Sequence, residues 1–472
     1  MTYNRCKGVN MNKPCIDDYN SIIKIIPPDR VSYGREISPD YFHDEMDGVN
    51  AAPDIVARPV TTEEVSALLA YANRRLLPVI PRGAGTGLVG GAVATSGGIL
   101  IDLSLMNKII ECDPNNMTVT VQAGVLLMEL SAYCEKRGLF YPPDPGEKSA
   151  TIGGNINTNA GGMRAVKYGV TRNYVMGLTC VLADGAVERV GGKAAKNSSG
   201  YSLKDLIVGS EGTLAVVTEA ILKVLPKQAE DISMLAPFND MKEAIACVPK
   251  LILSSANPTA IEFITRNSID LTEKYLGRRF PRLPSDYALL ILFDGQGEDE
   301  VKKSFDAAAE LCLESGAADV LILDTDERKS AAWTSRGAYL EAFKFSTDEL
   351  DECDIVVPRD KIVEFTDALY TMGERYGLRV PYFGHAGDGN LHIYFCRDKM
   401  PEKEWRQKLE EGFDELYKLA HRYGGMPSGE HGVGWAKKKY LLESLGERQI
   451  ELMRGIKRVF DPNGIMNPGK VF

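Results

Sequence analysis

The sequence is poor in cysteine clusters, histidine and long apolar runs. Its nine cysteines are scattered over 472 residues without a CxxC pair, which argues against iron–sulfur clusters and zinc ribbons and favours free thiols in a reducing compartment. Only five histidines are present. No stretch reaches the ~18 consecutive apolar residues of a membrane-spanning helix, and residues 1–15 lack the apolar core of a signal peptide. We therefore expect a cytoplasmic protein without a membrane span.

Basic residues are fewer than acidic residues. There are 55 basic and 65 acidic residues, and the net charge is −10. Because binding to a phosphate backbone needs a concentrated basic surface, nucleic acid is not an expected partner. The content of 44% hydrophobic and 25% charged residues is that of an ordinary globular protein, and the length allows about three average domains or two larger ones.

The local patterns divide the chain into four parts. Residues 1–50 are predicted to be an N-terminal helical segment, and residues 51–228 a domain of strands and glycine-rich loops. Residues 229–425 alternate amphipathic helices with strands, which favours an α+β domain with an antiparallel sheet and helices on one face. Residues 426–472 contain the loop SGEHGVGW, one last helix and a tail.

Two local features of the first domain carry specific predictions. Thr61 is predicted to cap the helix that follows it, with Glu64 closing a capping box. The segment SATIGGNINTNAGG, residues 149–162, is so rich in glycine and asparagine that it is predicted to be a long functional loop and neither helix nor strand.

The stretch PRGAGTGLVGG, residues 81–91, contains a GxGxxG pattern from Gly85 to Gly90. That pattern indicates a dinucleotide-binding turn only where a strand leads into a helix. Here the glycines lead into another predicted strand, so the Rossmann interpretation is rejected. Such a loop is either exposed and flexible, or it brings backbone N–H groups together around an anion. The further glycine-rich loops at 149–162 and 209–213 favour wrapping of a long ligand that carries a pyrophosphate.

Seven motifs, in order, resemble those of one protein family. They are PRGAGTGL, PPDPGEKSATIGGNINTNAGG, VKYG, GSEGTLAVVT, GHAGDGNLH, SGEHGVG and FDPNGIMNPGK. Together they resemble the FAD-linked oxidases of the vanillyl-alcohol oxidase / p-cresol methylhydroxylase superfamily. Within it the chain is similar to the D-2-hydroxyacid dehydrogenases, which include the glycolate oxidase catalytic subunit, D-lactate dehydrogenase and D-2-hydroxyglutarate dehydrogenase. The resemblance covers nearly the whole chain from about Pro53.

This resemblance implies an α+β fold with a two-part FAD-binding domain and a substrate, or cap, domain. Residues 51–228 would bind FAD, residues 229–425 would form the cap domain, and residues 426–472 would return to the FAD domain. Since the FAD half contains only His43, outside every motif, we expect FAD to be bound non-covalently. The residues that the resemblance assigns to FAD are Pro81, Arg82, Gly83, Ala84, Gly85, Thr86, Gly87, Leu88, Pro143, Asp144, Ser149, Thr151, Gly153, Gly154, Asn159, Gly162, Glu211, Val217 and Asn467.

Two of the five histidines flank the tight turn in GHAGDGNLH, at His385 and His392. On neighbouring strands, directly opposed side chains have Cβ atoms about 4.5–5.5 Å apart. Two imidazoles so placed are either a structural pair or ligands of one metal ion at about 2.0–2.1 Å. The resemblance favours the second alternative, because the family carries a divalent metal (Zn, Mn or Fe) at the positions of His385, His392 and Glu430.

The neighbouring residue His431 is predicted to be the catalytic base. Adjacent side chains of an extended segment point to opposite faces, so Glu430 and His431 are not expected to bind the same ion. Arg336 matches the arginine with which the family holds the substrate carboxylate, although its spacing fits a surface helix arginine equally well. Lys344 is a weaker candidate for a substrate contact.

These assignments predict an FAD- and metal-dependent dehydrogenase of a small D-2-hydroxy acid, with D-lactate as the first candidate. The alternatives are a glycolate or D-2-hydroxyglutarate enzyme that uses a quinone or O2, and a flavoprotein that only relays electrons. A pure relay needs neither the metal ligands nor a base. The resemblance to lactate dehydrogenase subunits of anaerobic bacteria implies electron-transfer flavoprotein as the partner and NAD as the final acceptor.

Overall fold

A computed structural model describes residues 11–281 and 283–472. The first ten residues of the predicted N-terminal segment therefore lie outside the described residues. The strands are β1 Val31–Tyr33, β2 Ile55–Ala57, β3 Val79–Arg82, β4 Ile99–Asp102, β5 Ile109–Asp113, β6 Thr118–Gln122, β7 Leu139–Phe140, β8 Val175–Val181, β9 Val187–Gly191, β10 Val216–Lys223, β11 Leu225–Pro226, β12 Glu230–Phe238, β13 Ala260–Thr265, β14 Tyr287–Gly295, β15 Leu321–Leu323, β16 Leu350–Val356, β17 Tyr382–His385 and β18 Asn390–Cys396.

The helices are distributed along the whole described chain. They are α1 Ile16–Ile22, α2 Thr62–Arg75, α3 Leu127–Glu135, α4 Ile152–Thr158, α5 Ala165–Tyr168, α6 Leu203–Ile207, α7 Met241–Leu253, α8 Arg266–Leu276, α9 Glu298–Glu314, α10 Asp326–Gly337, α11 Tyr339–Phe345, α12 Ile362–Tyr376, α13 Glu402–Arg422, α14 Lys438–Leu445 and α15 Glu447–Phe460. Single 3-10 turns occur at Pro28–Arg30, Gly34–Glu36, Pro39–Tyr41, Thr171–Asn173 and Arg359–Lys361.

The chain forms two compact units. The first unit comprises the described residues up to Ala160, Val170–Pro226 and His431–Phe472, and the second comprises Gly161–Gly169 and Lys227–Glu430. The first unit contains a four-stranded sheet of order β1-β2-β4-β3, a five-stranded antiparallel sheet of order β5-β6-β10-β8-β9, and the small pair β7 and β11. In the four-stranded sheet, β2, β4 and β3 are parallel and β1 is antiparallel to β2.

Helix α2 packs its apolar face into the core of the first unit. Val65, Leu68, Leu69 and Ala72 recur at helical spacing and are fully buried there. The predicted cap is confirmed, because Thr61 Oγ1 accepts the N–H of Glu64 at 3.2 Å. The predicted capping box is wrong in one partner. The Glu64 carboxylate accepts the N–H of Val60, the residue before Thr61, at 2.8 Å, and it also binds the Arg30 guanidinium.

The second unit is built on one antiparallel sheet, as predicted. Its seven strands have the order β15-β12-β14-β13-β17-β18-β16. An apolar cluster that includes Leu235, Leu290, Phe343, Phe383 and Tyr394 forms its core. In the described residues, the order of this sheet places β13, β17, β18 and β16 side by side, which matters for the site described below.

Three predictions about local structure are corrected. The segment 149–162 is not entirely loop, because α4 occupies Ile152–Thr158. Thr151 Oγ1 accepts the N–H of Gly154 at the start of α4, and Asn159 ends it in the left-handed conformation at φ 52°. Within residues 11–50, α-helix is confined to Ile16–Ile22, and the single predicted C-terminal helix is two helices, α14 and α15. Among the described helices, none is long and apolar enough to cross a membrane.

Candidate active site

Four adjacent strands of the second unit carry acidic and histidine side chains on one face. Glu262 of β13 pairs directly with His385 of β17, and His392 of β18 pairs directly with Asp354 of β16. Direct partners on antiparallel strands point to the same face, and so do residues two positions apart on one strand. Glu352 therefore shares the face with Asp354. The register gathers three carboxylates and two imidazoles on a single sheet face.

The two histidines of the hairpin are diagonal neighbours, which corrects the prediction that they sit directly opposite each other. His385 pairs with Asn390, and His392 pairs with Phe383. The turn holds four residues, so His392 lies two positions beyond the partner of His385 on the same face. Their ring centroids are 5.4 Å apart and the rings are nearly perpendicular. The offset still lets both imidazoles converge.

Both imidazoles present Nε2 to one oxygen of Glu430. The distance to Glu430 Oε1 is 3.7 Å from His385 Nε2 and 3.1 Å from His392 Nε2. The Nδ1 atoms face carboxylates, since His385 Nδ1 lies 2.7 Å from Glu262 Oε1 and His392 Nδ1 lies 3.5 Å from Glu352 Oε1. The three predicted metal ligands are therefore brought together, and a carboxylate near the Nδ1 atom of each ring orients that ring.

The predicted substrate arginine lies in the same group and is not a surface residue. Arg336, on α10, is buried, and its Nε and Nη2 both contact Glu262 Oε2, at 2.7 Å and 2.6 Å. The guanidinium carbon lies 4.3 Å from the centroid of the Phe383 ring, at cation–π distance. Glu262 is itself fully buried and binds Arg336 and His385 with different oxygens. By contrast, Lys344 is exposed and its ammonium lies 3.5 Å from Glu341.

A buried aspartate fixes the loop that carries Glu430. Asp354 Oδ2 accepts hydrogen bonds from Ser428 Oγ at 2.7 Å, from the Gly429 N–H at 3.1 Å and from the Glu430 N–H at 3.0 Å. A Cβ at Gly429 would collide with the side chain of Asn390, so a larger residue here would displace Asn390. Asp354 thereby holds the main chain of Glu430 at a fixed position on this face of the sheet.

Burial and mutual attraction act in opposite directions on these groups. Burial alone would lower the pKa of each imidazole, but the neighbouring carboxylates outweigh it. Glu262 and Glu430 raise the pKa of His385 well above its ordinary value, and Glu352 and Glu430 raise the pKa of His392 to about 9. Burial raises the pKa of Glu430, and the two histidines more than reverse this, so that it falls well below its ordinary value. The cluster thus attracts positive charge, which two ring protons or one divalent cation can supply.

The donor set fits a divalent transition metal. Two imidazole nitrogens and one carboxylate oxygen are common ligands of Zn, Mn and Fe. Ligand atoms each about 2.1 Å from one ion are about 3–3.5 Å apart, which is close to the separations found here. A carboxylate behind each ring is the usual support of a metal-binding histidine. Among the described residues, Asp354 adds a carboxylate, and its ligand atom lies within 4.8 Å of those of His392 and Glu430.

The three glycine-rich loops meet in the first unit. A Cβ at Gly83 would collide with Thr151 Oγ1, so the first loop touches the start of α4. Asn157 of α4 accepts the Glu211 N–H at its main-chain oxygen and the Gly212 N–H at its side chain, at 2.8 Å and 3.0 Å. Asn467 Nδ2 donates to the main-chain oxygens of residues 91 and 211, at 2.9 Å and 2.8 Å. The three loops and the C-terminal tail are therefore in contact with one another within the first unit.

All of the residues that were predicted to bind FAD lie in the first unit, with one exception. Gly162 belongs to the second unit. In the first unit, Pro81 and Arg82 end β3, and the loop that follows contains Gly83, Ala84, Gly85, Thr86, Gly87 and Leu88. Around α4, Pro143, Asp144 and Ser149 precede the helix, Thr151 caps it, Gly153 and Gly154 lie in its first turn, and Asn159 follows its last turn. Glu211 lies before β10, Val217 lies within β10, and Asn467 lies in the C-terminal tail.

Orphaned polar atoms in this region fit a polar ligand such as FAD. Of the side-chain atoms in residues 11–281 and 283–472 that are buried without a hydrogen-bond partner, Asn155 Nδ2, Ser210 Oγ and Asn467 Oδ1 belong to these loops and the tail. Buried polar groups normally find partners. A phosphate or ribityl oxygen can accept from Asn155 Nδ2 and Ser210 Oγ, and a ribityl hydroxyl can donate to Asn467 Oδ1. Asn155 and Ser210 escaped the sequence prediction, although both lie inside the quoted motifs.

Two of the predicted side chains have structural partners within the first unit. The Arg82 guanidinium donates to the main-chain oxygens of His43 and Asp40, at 2.7 Å and 2.9 Å. The buried Glu211 carboxylate accepts the N–H groups of Val433 and Gly434, at 2.8 Å and 2.7 Å. These contacts secure the N-terminal segment and the loop after His431. His431 itself is the first residue after Glu430, where the chain passes from the second unit to the first.

Comparison with solved structures identifies the fold class. The chain superimposes on p-cresol methylhydroxylase with substrate bound, with a TM-score of 0.80 at 17% identity, over 98% of each chain. The fold is that of the vanillyl-alcohol oxidase / p-cresol methylhydroxylase superfamily, an α+β arrangement with antiparallel sheets, as predicted.

Sequence comparison identifies the family. Residues 53–191 match the model of the FAD binding domain, and residues 227–471 match the model of FAD linked oxidases, C-terminal domain. The chain is 48% identical to a D-lactate dehydrogenase of Anaerostipes hadrus over 95% of this chain and 96% of the relative. It is 39% identical to glycolate oxidase subunit GlcD of Bacillus subtilis (strain 168), over 94% and 92%. The chain belongs to the FAD-linked oxidases and is an FAD-dependent oxidoreductase.

Proposed function

We propose that the protein oxidises a small D-2-hydroxy acid, D-lactate being the first candidate, to the 2-oxo acid, with FAD and one divalent metal ion. The observation that carries this proposal is the convergence of His385 Nε2 and His392 Nε2 on Glu430 Oε1, in one group with buried Arg336. The likeness to a D-lactate dehydrogenase favours lactate. An electron relay without a substrate would need neither a metal site nor a buried arginine.

The chain's own residues divide the reaction between them. FAD, when bound, would supply the acceptor for the hydride of the substrate Cα, and a divalent ion would make the substrate hydroxyl more acidic. His385, His392 and Glu430 would hold that ion. Arg336 holds the substrate carboxylate, because a planar guanidinium matches a carboxylate in two-point contact. His431 takes the hydroxyl proton as the general base.

The electrons must then leave the flavin. The sequence has no cysteine cluster that could hold an iron–sulfur centre. The acceptor is therefore a partner protein or a diffusible molecule, and the resemblance to lactate dehydrogenase subunits of anaerobic bacteria favours an electron-transfer flavoprotein that passes the electrons to NAD. A quinone or O2 is the alternative acceptor.

A substrate panel tests the proposed reaction. With an artificial acceptor, the enzyme should oxidise D-lactate faster than L-lactate, glycolate or D-2-hydroxyglutarate. With NAD as the only final acceptor, turnover should require added electron-transfer flavoprotein. A preference for glycolate or D-2-hydroxyglutarate would show that this acid, and not D-lactate, is the substrate. If none of the acids reduced the flavin, the hydroxy-acid proposal would be overturned.

FAD should be released completely by acid or heat. The chain's five histidines include only His43 before residue 385, and His43 Nδ1 lies 3.1 Å from the main-chain oxygen of Asp44. The absorbance of the supernatant after precipitation measures the released flavin. Yellow colour that stays with the precipitated protein would reveal a covalent bond and contradict this expectation.

A further inference from the structure

A single buried carboxylate connects the two functional groups of the second unit. Glu262 Oε1 lies 2.7 Å from His385 Nδ1, and Glu262 Oε2 is in contact with both Nε and Nη2 of Arg336. Glu262 is fully buried, and Arg336 is almost so. Burial of such a charge is tolerated only where it is paired and hydrogen-bonded, and here both oxygens are engaged. Burial raises the pKa of Glu262, but Arg336 and His385 outweigh it and leave the pKa lowered.

We propose that Glu262 is the positioning residue that orients both the metal ligand His385 and the substrate-binding Arg336. This inference rests on the proposed function, because it assumes that His385 binds the metal and Arg336 the substrate carboxylate. Glu262 is distinct from the assigned ligands, since it acts through two other side chains.

The first half of the argument concerns the tautomer of His385. A carboxylate can only accept hydrogen bonds, so Glu262 Oε1 requires the proton to be on Nδ1. In the neutral ring, the form that binds a metal, the lone pair is then on Nε2, which is the atom that faces Glu430 Oε1. A ring with the opposite tautomer would present an N–H to the metal and could not bind it. Glu262 therefore selects the form of His385 that can act as a ligand.

The second half concerns the direction of Arg336. Its guanidinium has five N–H donors in a fixed plane. Glu262 engages the edge formed by Nε and Nη2, while the ring of Phe383 lies 4.3 Å from the guanidinium carbon. Together the in-plane pairing and the ring define the orientation of the plane. The other edge, formed by Nη1 and the second N–H of Nη2, is the one that we assign to the substrate carboxylate in two-point contact.

Because one carboxylate does both tasks, a neutral amide cannot replace it. In Glu262→Gln, the amide oxygen can accept from His385 or from Arg336, and the amide NH2 group must face the other. If the NH2 group faces His385, it stabilises the tautomer that cannot bind metal. If it faces Arg336, two donors oppose each other. Either arrangement breaks one of the two functions.

The experiment compares Glu262→Gln with Glu352→Gln in the FAD-loaded enzyme. Glu352 is the matched control, because its carboxylate lies 3.5 Å from His392 Nδ1. Metal affinity is measured by competition with a chromophoric chelator. Binding of 2-hydroxyisobutyrate, which has no Cα hydrogen to lose, is measured at saturating metal by perturbation of the flavin spectrum. Both variants should lose about 10–100-fold in metal affinity.

The binding of the acid separates the two variants. At saturating metal, Glu352→Gln should bind 2-hydroxyisobutyrate as the wild type does. Glu262→Gln should bind it at least about tenfold more weakly, because Arg336 no longer directs a charged hydrogen bond at the acid's carboxylate. A double-mutant cycle of Glu262→Gln and Arg336→Met should be strongly non-additive. Wild-type metal affinity and acid binding in Glu262→Gln would overturn the inference.

Two controls keep the outcomes separate. If the wild type binds no stoichiometric divalent metal, the proposed function fails and not merely the role of Glu262. If Glu262→Gln does not fold, the wild type loaded with Zn and labelled with 15N-histidine gives a second test. The signal of His385, one of five histidines, should show a protonated Nδ1 and a metal-bound Nε2. A metal-bound Nδ1 would overturn the inference without any variant.

Discussion

Replacement of His385 by alanine should abolish oxidation of the hydroxy acid and leave FAD bound. His385 belongs to the second unit, whereas every residue predicted to bind FAD except Gly162 belongs to the first. Loss of one imidazole leaves His392 and Glu430, two of the three proposed ligands. The metal should therefore dissociate, and the substrate hydroxyl should lose the cation that makes it acidic.

This prediction is checked by measuring metal content, flavin content and turnover on the same preparation. His421→Ala is the matched control, because His421 lies exposed near the end of α13. The control should keep metal, flavin and activity. Treatment of the wild type with a strong chelator should reproduce the loss in His385→Ala, and added metal should restore only the wild type. Full activity in metal-free enzyme would contradict the proposed ligand set.

The part of the site that sequence alone predicted is the part with a strong local pattern. His385 and His392 flank a turn rich in glycine, and Glu430 lies in a loop bounded by glycines. The structure places Nε2 of both rings within 3.7 Å of one Glu430 oxygen. Their diagonal register escaped prediction, because it depends on the number of residues in the turn and the pairing of β17 with β18.

The acidic residues behind the histidines escaped prediction because they are distant in sequence. Glu262 precedes His385 by 123 residues, and only the pairing of β13 with β17 makes them neighbours. A signal was present nonetheless. Glu262 is the one charge in the apolar strand AIEFIT, and a lone charge in such a strand must find a buried partner. Glu352 and Asp354 lie two positions apart in LDECDIV, which places them on one face of the strand.

Helix α4 shows the opposite case, in which tertiary contacts override local propensity. Glycine and asparagine disfavour helix, so the segment was predicted to be a loop. The fold supplies what propensity lacks. The Gly153 N–H donates to the main-chain oxygen of Ala123 at 2.7 Å, and Asn157 Nδ2 donates to the main-chain oxygen of Gly153 at 2.7 Å. A Cβ at Gly153 would lie 2.7 Å from the Cβ of Ala123, so a better helix former would not fit.

The assignment of His431 as the base makes the last prediction. His431→Asn should keep both metal and flavin, because Glu430 and not His431 is the proposed ligand. It should also still bind the hydroxy acid, since Arg336 and the metal ligands are unchanged. The variant loses only the proton acceptor, and removal of a general base typically slows a reaction by about 10²–10⁴-fold. Flavin reduction by D-lactate, followed as anaerobic bleaching in a stopped-flow instrument, should slow by that factor.

Glu430→Gln is the contrasting variant, because it weakens the proposed ligand and leaves the proposed base intact. It should lose metal affinity, and bleaching should recover in part at high metal concentration. His431→Asn should keep its metal and should not recover when more is added, because the missing group is a proton acceptor. If His431→Asn instead lost its metal and bleached at the wild-type rate once the ion was restored, His431 would be a ligand. The general base would then have to be sought among the acidic residues on the sheet face. Of these, Asp354 is the direct strand partner of His392.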